Sequence, residues 1–273
     1  MVLLDHHAEA NVLKSIYTPV SGALSQERVM DILANNLANL NTAGFKGDRV
    51  SFEVLDAEPQ KHYANPLPPA NYKFDMKDLT ELVGNEVSYV GISDVSRDRA
   101  QGPAQHTGSR NDLMIEGNGY FQVNTQQGMR LTRNGALNVN SEGFLVSKDG
   151  DPIMGAKGAI RLGYGAFEVN PRGEIYQEGK LVDRLALVHP QSEVMLERVG
   201  NNNFIYNGSA EQLTEVTHPQ VKQGYLEGSN VNAIQNMTAM IIAHRSYEAY
   251  QKAVSNYDQI MEKSSNSIGE VRA

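Results

Sequence analysis

Cysteine is absent from the 273 residues, which excludes disulfides, thiolate zinc sites and thiol nucleophiles together. Basic charge is also short. Twenty-four Lys and Arg stand against 32 Asp and Glu, for a formal net charge of −8, and no local Lys/Arg cluster offsets the acidic excess. That argues against binding a polyanion, so no nucleic-acid partner is expected. No apolar run approaches the roughly 18 to 20 residues that a membrane-spanning helix needs, and no membrane insertion is expected. Nor does the start resemble a secretory signal: Met1 to Leu4 is apolar, but Asp5 ends the run and no basic segment precedes it. What is present is an ordinary apolar share of 40% and a charged share of 21%. The length suits one large domain or two smaller ones with a real core.

Two stretches carry helical periodicity. From about Ile16 to Leu40, apolar residues recur at spacings of three and four through Ile16, Val20, Leu24, Met30, Leu33, Leu37 and Leu40, with Glu27, Arg28 and Asp31 on the polar side. Ser21 or Ser25 is a candidate cap, and Asn41, Thr42 and Gly44 form a stop signal. The pattern returns from Met237 to about Met261 through Ile241, His244, Tyr247, Val254 and Tyr257, with Ser229 or Asn230 as the start signal. Each stretch is read as one continuous helix. Periodicity alone leaves open whether the two pair with each other, pack on neighbouring chains, or lie as covers on what stands between them.

The middle of the chain reads differently. More than half of the 24 glycines fall between Gly102 and Gly179. Turn dipeptides recur there: Asn118-Gly119, Asn134-Gly135, Glu142-Gly143, Asp149-Gly150, Arg172-Gly173 and Glu178-Gly179. Short β-prone runs lie between them, at Tyr120 to Val123, Leu137 to Val139, Phe144 to Val146, Phe167 to Val169 and Leu185 to Val188. Alternation of Leu137 and Val139 with Asn138 and Asn140 is the pattern of a strand with one wet face. The expected fold is therefore a mainly β central domain with a long helix at each end. Glu58 to Asn71, with Pro59, Pro66, Pro68 and Pro69, reads as an extended connection.

Catalytic and metal-binding patterns are scarce. The seven histidines form no ligand spacing, and His244 falls in the apolar stripe of the second helix. Asn138 to Asp149 superficially matches a calcium loop, but its flanks read as strands and its twelfth position is Asp rather than a bidentate Glu. A hairpin turn is the better account. Gly117-Asn118-Gly119 lacks the third glycine of a dinucleotide loop and precedes a strand. Glu116, Glu142, Asp149 and Asp151 are candidates for a glycosidase pair only if the fold brings two of them together. No catalytic, cofactor-binding or metal site is assigned.

The segment from Ser21-Gly22-Ala23-Leu24 through Ala34-Asn35-Asn36-Leu37-Ala38-Asn39-Leu40-Asn41-Thr42-Ala43-Gly44-Phe45-Lys46 resembles the N-terminal signature of the flagellar rod and hook axial protein family. Gly224-Tyr225-Leu226-Glu227-Gly228-Ser229-Asn230-Val231-Asn232, followed by Met240-Ile241 and Arg245-Ser246-Tyr247-Glu248-Ala249, looks like the matching C-terminal signature. Between them, Asp112 to Phe121 and Thr132-Arg133-Asn134-Gly135-Ala136 resemble the family's β-domain motifs, so the likeness covers about residues 15 to 263. Among the rod members it leans to the proximal form, on Leu226 to Ser229, Ala233-Ile234 and the compact stretch from Pro152 to Leu185. The distal form is the rival within the family.

The resemblance implies a non-enzymatic structural subunit of the basal-body rod, with no cofactor. Its implied partners are other rod subunits, copies of itself and the flagellar type III export apparatus. Its implied place is the periplasmic rod, reached without a cleaved signal peptide, where it transmits torque from motor to hook. The terminal helices would pair, coiled-coil-like, in an axial core domain made of 15–45 and 224–273, around an all-β outer region of 46–223. Residues 1–14 precede the family's usual start as an N-terminal extension. The implied assembly interface comprises Leu33, Asn35, Asn36, Leu37, Asn39, Leu40, Gly44 and Phe45 on the first side. On the second it comprises Asn230, Val231, Asn232, Met237, Ile241, His244, Tyr247, Val254 and Tyr257. Leu33, Leu37 and Leu40 would form an apolar seam, while the Asn35 and Asn36 amides donate and accept across it. Asn41 would end the helix, Gly44 supply a left-handed C-terminal cap, and Phe45 anchor the exit. A rival of another class is a β-domain protein that binds or cleaves cell-wall glycan.

Overall fold

The structure, a computed structural model, describes residues 5–55, 89–163 and 165–270. The expected connection at Glu58 to Asn71 and the first four residues lie outside the described residues. Described residues fall into two compact units. One draws on Met1–Leu37, Asp48–Arg97 and Ala233–Ala273, the other on Ala38–Gly47 and Asp98–Asn232. The chain therefore passes from one unit to the other four times, at 37/38, 47/48, 97/98 and 232/233.

The first unit holds two long helices and a ribbon. Helix α1 runs Asp5–Ala38 and α2 runs Ala233–Glu270. Both are longer than their periodic stretches, because an apolar repeat marks the packed part of a helix and not its ends. Ser21 and Ser25 are not caps. They lie buried inside α1, their hydroxyls donating to the carbonyls of Thr18 and Ser21, each at 2.9 Å. Pro19 lies inside the same helix, where it removes one intrahelical bond. The inner stripe of α1 is small and polar: Ser21, Gly22, Ser25 and Asn36 are buried with Val29, while Leu24 is 46% exposed. On α2 the less exposed positions include Asn236, Met240, Ala243, Tyr247, Tyr250, Val254, Tyr257 and Met261, which alternate four and three apart. A small stripe thus meets a tyrosine-rich one. A Cβ built on Gly22 would stand 2.5 Å from the Tyr250 ring, and Asn36 Nδ2 donates to Asn236 Oδ1 at 3.4 Å. These two contacts run in opposite chain order, so the helices are antiparallel. The ribbon pairs Asp48–Leu55 antiparallel with Tyr89–Arg97, with a register shift at Ser51/Phe52.

The second unit is almost entirely β. Its largest sheet has six antiparallel strands in the order Leu196–Arg198, Asn203–Tyr206, Gly128–Thr132, Tyr120–Thr125, Leu187–Pro190 and Leu213–Glu215. A three-stranded sheet, Phe167–Val169, Glu174–Gln177 and Lys180–Arg184, follows the glycine turns at Gly173 and Gly179, both at positive φ. The main core packs Leu113, Phe121, Leu145, Ile153, Ile175 and Leu187, each essentially inaccessible. Strand boundaries differ from the expected runs by one or two residues; the run expected at Leu185 begins its ladder at Leu187. The hairpin expected in place of a calcium loop forms from Leu137–Val139 against Leu145–Ser147. Asn140 Oδ1 closes it by accepting from the N–H groups of Glu142 and Phe144, at 3.0 and 2.8 Å.

Two further pairings carry the C-terminal signature into this unit. Gln220–Gln223 pairs with Leu113–Glu116, and Tyr225–Glu227 with Ala104–His106. At Gly135 the expected turn is instead a close approach of backbones, where a Cβ would stand 1.6 Å from the Leu113 carbonyl oxygen. The Gly135→Ala variant should lose at least ~2 kcal/mol of stability, because backbone has to shift to admit the methyl. Gly163→Ala, with nothing nearer than 3.4 Å, should be close to neutral. Urea denaturation of the two variants side by side checks the difference.

Candidate functional site

Within the β-rich unit, the end of the N-terminal signature is seated on a buried ion cluster. The turn begins after Ala38, where Thr42 N–H donates to the Asn39 carbonyl at 3.1 Å and Phe45 N–H to the Thr42 carbonyl at 3.2 Å. Gly44 is left-handed as expected, with φ of 69°. It is not the helix cap, however, since α1 has already ended at Ala38. Its N–H donates to the Glu227 carbonyl at 2.7 Å, and a Cβ there would stand 2.6 Å from the Arg133 backbone. Glycine is required by the close approach as well as by φ. Phe45 is buried under the Arg198 guanidinium, 4.3 Å from its ring centre.

Lys46 follows, 3% exposed, with its ammonium on the Glu227 carboxylate and on the Ala100 carbonyl at 2.8 Å. Glu227, 1% exposed, also accepts from Gly102 N–H at 3.2 Å and faces Arg133 Nη1 at 3.4 Å. Arg133 Nη1 and Nη2 donate to the carbonyls of Ile115 and Gly117, its Nε is buried with no hydrogen-bond partner, and the guanidinium covers the Tyr120 ring. One carboxylate therefore balances two cations away from water. Burial pushes the Lys46 ammonium below the ordinary lysine range, and the adjoining Glu227 carboxylate partly offsets that. A lysine pKa lower in the folded than in the unfolded chain costs stability at pH below the folded value. The cost fades as pH rises towards the unfolded value.

Asn230 completes the seat. Its Oδ1 accepts from Gly47 N–H at 2.8 Å, and its Nδ2 donates to the carbonyls of Asp98 and Ala100 at 2.8 and 3.0 Å. One amide so joins three segments, each next to a point where the chain leaves the unit. Neither Ser229 nor Asn230 is the first residue of α2, which begins at Ala233. Ser229 Oγ accepts from Val231 N–H at 3.3 Å.

A second amide does the same within the helical unit. Asn36, 4% exposed, donates from Nδ2 to the Asp48 carbonyl at 2.8 Å and accepts at Oδ1 from Asp48 N–H at 2.9 Å. This two-point grip holds the first residue of the ribbon to α1. Arg97, opposite Asp48 in the ribbon's register, meets the Asp48 carboxylate at 3.3 Å.

The residues expected at an assembly interface are thus divided. Leu33, Asn35, Asn36 and Leu37 lie in the helical unit with Met237, Ile241, His244, Tyr247, Val254 and Tyr257; Asn39, Leu40, Gly44, Phe45, Asn230, Val231 and Asn232 lie in the β-rich unit. Asn35, Met237, Ile241 and His244 are exposed, Leu33 and Leu37 half-buried. Lys46, Glu227, Arg133 and Asp48 were absent from that expectation. Lys46, Arg133 and Glu227 each lie inside a family motif string, but nothing local in those strings marks them as partners. Of the carboxylates considered as catalytic, Glu116 is paired with Lys222 at 2.9 Å, while Glu142 and Asp149 sit in turns. Among the described residues, no three His, Asp or Glu side chains gather as a metal site.

Sequence comparison places this geometry. Three family models match the chain: the flagella basal body rod protein model at residues 16–46, the D1 domain of flagellar hook protein FlgE/F/G at 114–184, and the C-terminal region of flagellar basal body rod FlgEFG protein at 222–267. The chain is 30% identical over 261 residues to the flagellar basal-body rod protein FlgF of Caulobacter vibrioides, covering 94% of this chain and 98% of that protein. FlgF of Rhizobium meliloti is also 30% identical, over 93% of this chain and 97% of its own. Flagellar basal-body rod protein FlgG of Bacillus subtilis is 27% identical, with 92% and 98% covered.

Removing Glu227 leaves Lys46 and Arg133 buried without a counter-charge. Glu227→Leu should therefore cost about 3–5 kcal/mol, and Lys46→Met distinctly less, because Arg133 still faces the carboxylate. Denaturant melts of both variants measure the asymmetry.

Proposed function

We infer the role of this chain from the premise that it belongs to the flagellar basal-body rod protein family. It is a structural subunit of the bacterial flagellar basal-body rod. Our reading of its place is the proximal part of the rod, supported by Leu226 to Ser229, Ala233-Ile234 and the compact stretch from Pro152 to Leu185. It acts without catalysis, reaches the periplasm through the flagellar type III apparatus without a cleaved signal, and passes torque along the axis to the hook. Its neighbours are other rod subunits and further copies of itself.

The observation that carries this reading is the surface of α2. A folded helix that leaves Ile234, Met237, Ile241 and Ile242 49–77% exposed has apolar area in need of a partner. The inner stripe, with its three-four alternation, supports coiled-coil-like pairing with α1 in an axial core of 15–45 and 224–273. Of the remaining residues 46–223, the ribbon of Asp48–Leu55 and Tyr89–Arg97 stays with the helical unit, and 98–223 form the outer region. In this arrangement Leu33, Leu37, Met237, Ile241 and His244 face neighbouring subunits, while Tyr247, Val254 and Tyr257 serve the helix pair. The glycan-acting alternative gains no support from the paired or turn-bound carboxylates.

Leu37→Asp places an unpaired carboxylate in a half-buried apolar position, at a cost of several kcal/mol wherever it is covered. Cells carrying only this variant should be non-motile, with the protein made and its β-rich unit folded. Normal swimming would remove Leu37 from the interface. Basal bodies from a deletion strain should stop short of the distal rod, and a complete distal rod would refute the proximal position.

A further inference from the structure

Between α1 and α2 lies a groove of about 270 Å³. Its floor is apolar, with Val20, Ala23 and Leu24 from one helix and Tyr247 and Val254 from the other. Leu24 is 46% exposed there. At the rims stand Glu27 and Asp258, neither with an ion-pair partner among the described residues. Elsewhere on α2, Ile234, Met237 and Ile241 follow one another three and four apart, a single ridge on one face. Beside Ile241 lie His244, Arg245 and Glu248. His244 Nδ1 faces Glu248 at 3.6 Å, whereas Arg245 has no ion-pair partner among the described residues. The ridge is flanked by an unspent cation and the groove by two unspent carboxylates.

We propose that the ridge of one copy of this chain seats in the groove of a second copy, Ile241 against Leu24, with Arg245 between Glu27 and Asp258. This rests on the reading as a rod subunit and names the partner at one of its faces. Ridge and groove are different surfaces, so the contact is heterologous. Each docked copy still offers one free ridge and one free groove, the arrangement that propagates a column instead of closing as a two-fold dimer. Charge opposition favours ridge in groove over a parallel ridge-on-ridge contact, which would bring Arg245 to Arg245.

The chain has no cysteine, so introduced thiols are its only ones. Leu24→Cys and Ile241→Cys are placed together in one chain. In the register set by Asn36–Asn236 and Gly22–Tyr250, position 241 lies beside position 31. It is therefore about 10 Å along the axis from position 24, beyond the roughly 7 Å Cα reach of an internal disulfide. Mild oxidation of isolated basal bodies should give species at twice the chain mass or higher multiples. Arg245→Glu should reduce them at least tenfold, and adding Glu27→Arg and Asp258→Arg should restore them. Thiols at Ala23 and Thr238 repeat the test if the first pair prevents assembly. Basal bodies that contain the chain but yield no such band, or only a band with a protein of another mass, overturn the proposal. Absence of the chain from basal bodies overturns instead the rod reading on which it rests.

Discussion

A carboxylate removed from water has to be matched, and Glu227 is matched by residues from the other two family signatures. Lys46 comes from the end of the N-terminal motif, Arg133 from the β-domain motif, and Glu227 itself from the C-terminal one. Loss of the carboxylate would strand two cations, and loss of either cation would weaken a seat that also uses Gly44, Gly102 and Ala100 backbone groups. Three regions far apart in sequence are thereby held in one geometry. An apolar substitute can match such a cluster in stability.

Two asparagines, the buried Asn36 and the half-buried Asn230, extend the same logic to the points where the chain changes unit. An amide offers a donor and an acceptor on one rigid plane, which suits it to grip a backbone N–H and C=O together. Asn36 grips Asp48 in this way, and Asn230 bridges Gly47, Asp98 and Ala100. Each thus settles backbone groups that no helix or sheet satisfies. Asparagine is a poor residue for a helix interior, and Asn36 is tolerated in α1 because its amide is committed elsewhere. For a subunit that carries mechanical load, fixing the chain where it enters and leaves each unit limits the slack available at those points.

The helix pair divides its surface between two tasks. Small residues of α1 admit the tyrosines of α2 on the inner face, and Gly22 is the point of closest approach to Tyr250. The outer face of α2 keeps Ile234, Met237, Ile241 and Ile242 in water, and on the reading proposed above neighbouring subunits cover them. Under that proposal, separate stripes of one helix serve folding and assembly.

The all-β middle, the terminal helices and the family were legible in the sequence, because periodicity, glycine turns and motif strings are local properties. So were the left-handed Gly44 and the hairpin at Asn138 to Asp149. The apolar run through Val20, Leu24 and Leu37 did not reveal which face of α1 packs inward, since that face is lined by Ser21, Gly22 and Ser25, residues that periodicity scores as polar or neutral. Nor did the spacing of Ser21 and Ser25 distinguish a cap from a hydroxyl turned back on its own helix. Lys46, Arg133 and Glu227 carry no local mark of their meeting. Burial of opposite charges depends on strands that pair residues more than a hundred positions apart, so composition and motif determined what the chain is, and only tertiary pairing decided which of its charges share one site.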